Sequence, residues 1–156
     1  MIRDFNENDK DYIIDSHYKI YNKEYNYDLS FKKFISNSVN QYIKKENNSL
    51  ENIWILDIDG FPKGSISIKR TNEDVAQLGL FLVDPSLRGT GLGKQLVQTA
   101  IDFCKEKNYK KVVLWTNSEL VAARRIYKNK GFQLIETRKQ FLSNKELVEE
   151  QWELSL

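Results

Sequence analysis

Residues 80–94 read Leu-Phe-Leu-Val-Asp-Pro-Ser-Leu-Arg-Gly-Thr-Gly-Leu-Gly-Lys, and no other stretch limits the fold so tightly. An apolar run over residues 75–83 has the length of a buried strand and stops at Asp84-Pro85. Three alternate glycines follow, Gly89, Gly91 and Gly93. Directly after them Leu92, Leu96, Val97, Ala100, Ile101 and Cys104 recur at helical spacing, so an amphipathic helix opens near Gly91. Glycine lets backbone N–H groups close on a ligand. A helix start adds unpaired donors and the positive end of the helix dipole. Arg88 and Lys94 bring two formal positive charges to the same place. The segment therefore predicts an anion site suited to phosphate.

The glycine spacing excludes the two commonest phosphate loops. A Walker loop ending at Gly93-Lys94 would need glycine where Arg88 stands, and Ser or Thr where Gln95 stands. A dinucleotide fingerprint starting from Gly89 or Gly91 would need its last glycine at Lys94 or Leu96. The neighbouring strands also lack a βαβ repeat. What remains is R-x-x-G-x-G, on Arg88, Gly91 and Gly93.

The rest of the chain changes period several times. Ile13, Ile14, His17, Tyr21 and Glu24 predict a helix over about 10–25, and a short strand is expected before it at Ile2–Phe5. Ser30 is the expected N-cap of a second helix, with Phe31, Phe34, Ile35, Val39, Tyr42 and Ile43 on one face. After Asn47-Asn48-Ser49 the pattern turns to β, with strands at 52–58 and 63–70 around the turn signal Asp59-Gly60. A buried strand follows the glycine-loop helix at 111–116. A helix over about 119–130 comes next, capped by Asn117 or Ser118 and closed by Gly131. The tail predicts a hairpin of strands 132–142 and 147–155, with Val148, Trp152 and Leu154 facing one way. Trp54, Trp115 and Trp152 read as strand-core residues, Cys104 as packing, and Arg124 and Arg125 as a solvated face. The alternation marks an α+β chain of 156 residues, read as one domain over 1–156.

Composition removes whole classes of function. Hydrophobic residues make up 40% and charged residues 29%, the balance of a globular protein rather than a disordered one. A net charge of +2 with scattered lysines argues against a dedicated nucleic-acid binder. No apolar run nears the roughly 20 residues of a membrane span, and the first residues hold no signal-peptide core, so a cytoplasmic protein is expected. One cysteine and one histidine exclude an intrachain disulfide and a zinc site of the usual Cys/His kind, and no metal is expected.

With this element order, the Arg88-x-x-Gly91-x-Gly93 loop resembles the acetyl-CoA loop of the GNAT superfamily of N-acetyltransferases. The Val83-Asp84-Pro85 strand exit, Asn117 after the next strand, and Tyr127 with Lys130-Gly131-Phe132 strengthen the likeness. The segment His17-x-x-x-Tyr21-x-x-Glu24-Tyr25 is similar to acetyltransferase domains fused behind MarR-type DNA-binding domains; no winged-helix half is seen, so the expectation is the enzymatic half alone. The resemblance implies a mixed, mostly antiparallel central sheet with helices on both faces. It implies an acetyl-CoA co-substrate, and direct acetyl transfer to a primary amine. It places the pantetheine against Leu82 and Val83, which lie where the strand splays from its neighbour. The pyrophosphate falls over Arg88, Gly89, Thr90, Gly91, Gly93 and Lys94, with Asn117 touching the cofactor. Tyr127 is the implied proton donor to the departing thiolate. His17, Tyr21 and Glu24 share a helix face and are the candidates for the acceptor side.

The general base is not read from the sequence. Some relatives place a glutamate before the loop, where this chain has Gln77, which cannot accept a proton. The expected partner is a small-molecule or protein amine. A homodimer is left open, and neither nucleic acid nor membrane is expected. The competing function is a non-catalytic acyl-CoA-binding sensor or regulatory module.

Overall fold

The computed structural model describes residues 1–45 and 48–156; Asn47 of the expected helix-to-strand break lies outside them. The described residues form seven strands and four α-helices. They are β1 (Ile2–Asp4), α1 (Lys10–Tyr25), α2 (Leu29–Lys44), β2 (Asn52–Ile58), β3 (Phe61–Arg70), β4 (Val75–Val83), α3 (Leu92–Glu106), β5 (Lys111–Asn117), α4 (Val121–Asn129), β6 (Gln133–Leu142) and β7 (Lys145–Ser155). The strands form one sheet in the order β1-β2-β3-β4-β5-β7-β6. Every neighbouring pair is antiparallel except β4 and β5.

Alternation along each strand feeds two cores. Trp54, Leu56, Ile66, Ile68, Ala76, Leu78, Val112, Leu114 and Trp152 meet α3 through Leu96, Val97, Ala100, Ile101 and Cys104, with Tyr127 of α4 closing the same layer. On the opposite face Ile53 and Ile55 meet Ile13, Ile14, Ile35 and Val39 of α1 and α2. The helices therefore cover both faces of a mostly antiparallel sheet, as the family resemblance implies. Burial pushes the Cys104 thiol up to about 12, which fits a packing role.

Local chemistry sets the ends of these elements. Before α1, Asn6 and Asp9 satisfy each other's backbone N–H groups in a capping box. Arg3 grips Asp9 at 2.8 Å and Asp57 at 2.9 Å, tying β1 to the start of α1. The cap of α2 is Asp28 rather than Ser30: its carboxylate accepts from the Ser30 N–H at 2.9 Å, two residues ahead of the expected start. The helix α4 begins at Val121 with Leu120 at its N-cap and no side-chain cap, because the expected caps Asn117 and Ser118 fall before that position. The β6–β7 hairpin turns on Ser143 and Asn144, both at positive φ (51° and 58°), as a two-residue type I′ loop requires.

The tail departs from simple alternation. Val148 is exposed, and Leu147, Glu150 and Trp152 are buried. Glu150 is only 3% exposed, and Arg124 holds it through two bonds of 2.8 and 3.1 Å, while Trp152 Nε1 donates to it at 3.1 Å. Arg124 is thus a counter-ion of the sheet and not part of a solvated face. Trp115 lies outside the main core, with the Arg138 guanidinium 4.4 Å above its ring. Phe34 of α2 is exposed instead of joining the Ile35 and Val39 stripe.

Gly64 sets the approach of β3 to the end of β4. A Cβ there would stand 2.7 Å from the Leu82 carbonyl oxygen, a backbone atom that cannot swing away. Gly64→Ala should therefore lower stability by about 1–3 kcal/mol, the cost of overpacking. Urea unfolding should show this as a lower midpoint with an unchanged slope.

Candidate functional site

The end of β4 is built differently from the rest of the sheet. Its parallel pairing with β5 covers only Val75–Gln77 against Lys111–Val113. Beyond Gln77 the two strands have no register, while on its other edge β5 pairs with β7 along its whole length, from Lys111 to Asn117. On the other side β4 pairs with β3, but the register slips between Ser65 and Ser67. The slip is a bulge, and Leu80 within it has φ of +48°. A leucine in the left-handed region costs about 1–3 kcal/mol unless its surroundings hold it. Ser65 Oγ donates to the Leu80 carbonyl at 2.6 Å, and the Tyr21 hydroxyl to the Phe81 carbonyl at 3.4 Å. Bulge and splay together leave one side of residues 78–83, Leu82 and Val83 included, free of a strand partner. The sequence signal for this was Gly79 followed by Leu80-Phe81-Leu82, where strict alternation fails.

The glycine loop opens at this end of the sheet. Pro85–Leu87 form a 3₁₀ turn capped by Asp84, whose carboxylate accepts from the Ser86 N–H. Gly89 and Gly91 both have positive φ, +81° and +84°, and a Cβ added at either would meet nothing within 4 Å. The N–H groups of Gly89, Gly91, Gly93 and Lys94 have no hydrogen-bond partner among the described residues. Gly91 is the N-cap of α3, whose first turn holds no acidic residue. An open loop with unpartnered donors at a helix start suits a phosphate group. Gly93 has a different reason to be glycine. It is buried, and a Cβ there would come within 3.0 Å of Ile126 and 3.5 Å of Phe81 and Val83. Its side-chain absence lets α3 pack on α4 and β4, while its N–H remains available to a ligand.

Tyr127 lies beside the splay. It is 5% exposed, with its ring 6.0 Å from Phe81 and 5.9 Å from Phe132. Its hydroxyl bonds to no other described residue. Burial, and secondarily the nearby Tyr21 phenol, push its pKa well above the usual tyrosine range. Tyr127 therefore stays protonated throughout the neutral range, and its O–H is there to be donated. Asn117, at the end of β5, gives its side-chain N–H to the Tyr27 hydroxyl at 2.6 Å.

The three acceptor-side candidates have different surroundings, although the His17 and Tyr21 rings lie only 6.0 Å apart. His17 is 2% exposed; its Nδ1 lies 2.7 Å from the Ile13 carbonyl, and Nε2 makes no hydrogen bond of normal geometry among the described residues. It packs between α1 and the Leu80 bulge, sealed from any incoming molecule. Tyr21 stacks on Phe31 with 4.9 Å between ring centroids and sits edge-on to Tyr25 and Tyr27, so its hydroxyl alone reaches the bulge. Glu24 points the other way, onto Arg88 of the glycine loop at 2.5 and 2.7 Å.

Sequence reading missed the bridge from the α1–α2 connection to the β6–β7 turn. Lys145 Nζ donates to the Tyr25 carbonyl at 2.9 Å and pairs with Glu119 at 3.0 Å, while Ser143 Oγ accepts from the Asp28 N–H at 3.1 Å. Nothing local in the sequence joins residues so far apart. A cavity of about 370 Å³ runs between α2 and the sheet, touching Phe34, Gln41, Ser67, Gln77, Gly79 and Leu80. A larger one, of about 620 Å³, lies around Phe5, Tyr42, Phe103 and Lys107 and shares no residue with the loop, so size alone would point away from the phosphate chemistry. Among the described residues no three His, Cys, Asp or Glu side chains cluster as a metal site requires. None of their helices is long and apolar enough to cross a membrane.

Residues 14–132 match the Acetyltransferase (GNAT) family, and this chain belongs to it. It is 26% identical over 147 residues to an uncharacterised N-acetyltransferase of Methanocaldococcus jannaschii, a match covering 90% of this chain and 64% of that protein. In fold it is similar to a GNAT-family acetyltransferase of Staphylococcus aureus, with a TM-score of 0.82 and 24% identity over 100% of this chain and 98% of the other. A Salmonella typhimurium protein solved with its cofactor acetyl-CoA has a TM-score of 0.76 and 18% identity, covering 100% of this chain and 93% of its own.

The buried histidine yields a pH prediction. Burial lowers the pKa of His17 from 6.5 to about 4, against smaller opposing effects of the Ile13 and Leu80 carbonyls. The unfolded chain then binds the extra proton between those values, so stability is complete above about pH 6.5 and falls as pH drops toward 4. The loss should be of the order of 3 kcal/mol. His17→Phe should flatten this part of the urea-midpoint profile, whatever its absolute stability.

Proposed function

We propose that this chain is an N-acetyltransferase that carries the acetyl group of acetyl-CoA directly to a primary amine. The single observation that carries the reading is the loop at Arg88–Lys94: four unpartnered N–H groups at a helix start, beside a strand end freed by bulge and splay. Leu82 and Val83 offer backbone groups to the pantetheine amides. Gly89, Thr90, Gly91, Gly93 and Lys94 hold the pyrophosphate, with Arg88 supporting its charge. Asn117 keeps its carbonyl for the cofactor while its N–H holds Tyr27. Bound acetyl-CoA would supply the acetyl group as an activated thioester. A backbone N–H near Val83 would face the charge that develops on the carbonyl oxygen. As the C–N bond forms and the C–S bond breaks, Tyr127, protonated and lacking a partner among the described residues, would donate to the departing sulfur, and the proton released by the amine would pass through water to restore the phenol.

The acceptor comes from the side walled by Tyr21, Tyr25 and Tyr27 and the β6–β7 turn, and its class is a small-molecule or protein amine. The likeness of the His17–Tyr25 segment to MarR-linked acetyltransferase domains belongs to this reading, as does a single domain over 1–156 in the cytoplasm. The presence of Gln77 in place of a glutamate favours the second reading, an acyl-CoA-binding module without turnover.

Calorimetry and a turnover assay over a panel of amines test the reading. Acetyl-CoA should bind, and Gly91→Val should weaken it at least about tenfold, since valine is strained at φ +84° and would stand where phosphate oxygens approach. The open space around Gly91 means that the fold should survive. No binding at millimolar acetyl-CoA would refute the reading. Tyr127→Phe should keep acetyl-CoA affinity and lower turnover by about 10²–10⁴, the share of a positioned acid. Because burial holds the phenol protonated far into alkali, wild-type turnover should show no high-pH limb from Tyr127 below about pH 10. Normal turnover in Tyr127→Phe would leave Tyr127 as packing alone.

A further inference from the structure

The glycine loop is almost untethered. Thr90 Oγ1 bonds back to the Leu87 carbonyl, and the Arg88 and Thr90 N–H groups bond to Pro85 and Leu87, all within the turn itself. Gly89 and Gly91 have no side chains, and nothing packs where one would be. Among the described residues, the remaining bonds of residues 88–91 run to the start of α3, where the Gln95 N–H donates to the Gly91 carbonyl at 3.1 Å and the Leu92 N–H to Thr90 Oγ1 at 3.4 Å, and to α1, where Arg88 meets Glu24. Both Glu24 oxygens accept from a single nitrogen, Arg88 Nη2. Among the described residues Nε and Nη1 have no partner, so one part of the five-donor guanidinium is spent and the rest is open.

Glu24 is itself well held. It lies in the last turn of α1, which closes on Asn26 at φ +60°, and α1 is anchored by Ile13, Ile14 and His17 in the core. Its side chain is 25% exposed against 52% for Arg88, so the carboxylate is the fixed partner and the guanidinium the tethered one. A carboxylate in the last turn of a helix is disfavoured by the helix dipole, and an opposite charge across the gap offsets this.

We propose that Glu24 is a positioning residue for the phosphate-binding loop, not a group that touches the acceptor amine. Its carboxylate fixes Arg88, and through Arg88 it fixes the loop against α1 before the ligand arrives. The freedom of a long exposed side chain and of two glycines is then lost on folding rather than on binding. This inference rests on the acetyl-CoA reading above. It also explains how the end of α1, which carries the aromatic wall of the acceptor side, is joined to the cofactor side by one ion pair.

The test is calorimetric titration with two probes: CoA, and acetylpantetheine, which lacks the pyrophosphate and nucleotide. Glu24→Gln, Arg88→Ala and the double variant are compared with the wild type. Glu24→Gln should raise the Kd for CoA by about two- to fivefold, the range of an exposed ion pair. It should leave acetylpantetheine binding unchanged, and it should add nothing in the Arg88→Ala background. Unchanged or tighter CoA binding in Glu24→Gln would overturn the proposal, the latter by showing that the carboxylate competes with phosphate. So would a loss that persists in Arg88→Ala, or one that is equal for both probes. Unchanged CoA affinity with slowed amine turnover would return Glu24 to the acceptor side. If CoA fails to bind the wild type at all, the cofactor reading itself has failed, which is a separate result.

Discussion

Everything at the candidate site depends on β4 leaving its partner. The strand pairs with β5 for three residues and then parts from it, while a bulge at Leu80 turns its last residues relative to β3. A regular sheet would have used those backbone groups for itself. The cost of a left-handed leucine is met by the Ser65 and Tyr21 hydroxyls on the two bulge carbonyls and by the packing of Leu80 against the α1–α2 core. The result is a wedge between two strands whose sides are backbone, with the open glycine loop at one end and Tyr127 beside it. Strain is held where a ligand would use the freed groups, as is common at functional sites.

The two sides of this wedge are electrostatically unlike. Arg88, Lys94 and the start of α3 supply positive potential at the loop. The α1 side is aromatic and neutral in its interior: Tyr21, Tyr27 and Tyr127 are all pushed toward their protonated forms by burial, and His17 toward its neutral form. A neutral interior suits a reaction in which an uncharged amine must persist long enough to attack. The charges that do lie near, Glu24, Glu119 and Lys145, are paired with partners on other elements and stitch the wall together.

The sequence made much of the scaffold legible because local patterns decide it. The limits of α1, β2 and β4, the glycine loop and the opening of α3 follow from periodicity and glycine placement within one segment. What it hid was long-range pairing. Glu24 meets Arg88 across 64 positions, Asn117 meets Tyr27 across 90, and Lys145 meets Tyr25 across 120. Periodicity carries no information about such partners. Hence periodicity offers Asn117 or Ser118 as a helix cap, leaves Arg124 on a solvated face, and groups His17, Tyr21 and Glu24 on one helix face. Residues seven apart do share a helix face, but α1 is buried at His17 and emerges only in its last turn, so the same face sees the core at one end and the loop at the other. In β7, alternation puts Glu150 on the face of Trp152, and Arg124 supplies the charge that lets it stay buried there.

An NMR titration tests the central claim most directly, because it asks where the ligand sits. With ¹⁵N-labelled protein and acetyl-CoA, the account predicts the largest amide shifts at Gly89, Gly91, Gly93 and Lys94 and along Leu82–Val83, with a smaller response at Asn117. Shifts centred instead on Phe5, Tyr42, Phe103 and Lys107, around the larger cavity, would contradict it, and so would a spectrum that acetyl-CoA leaves unchanged.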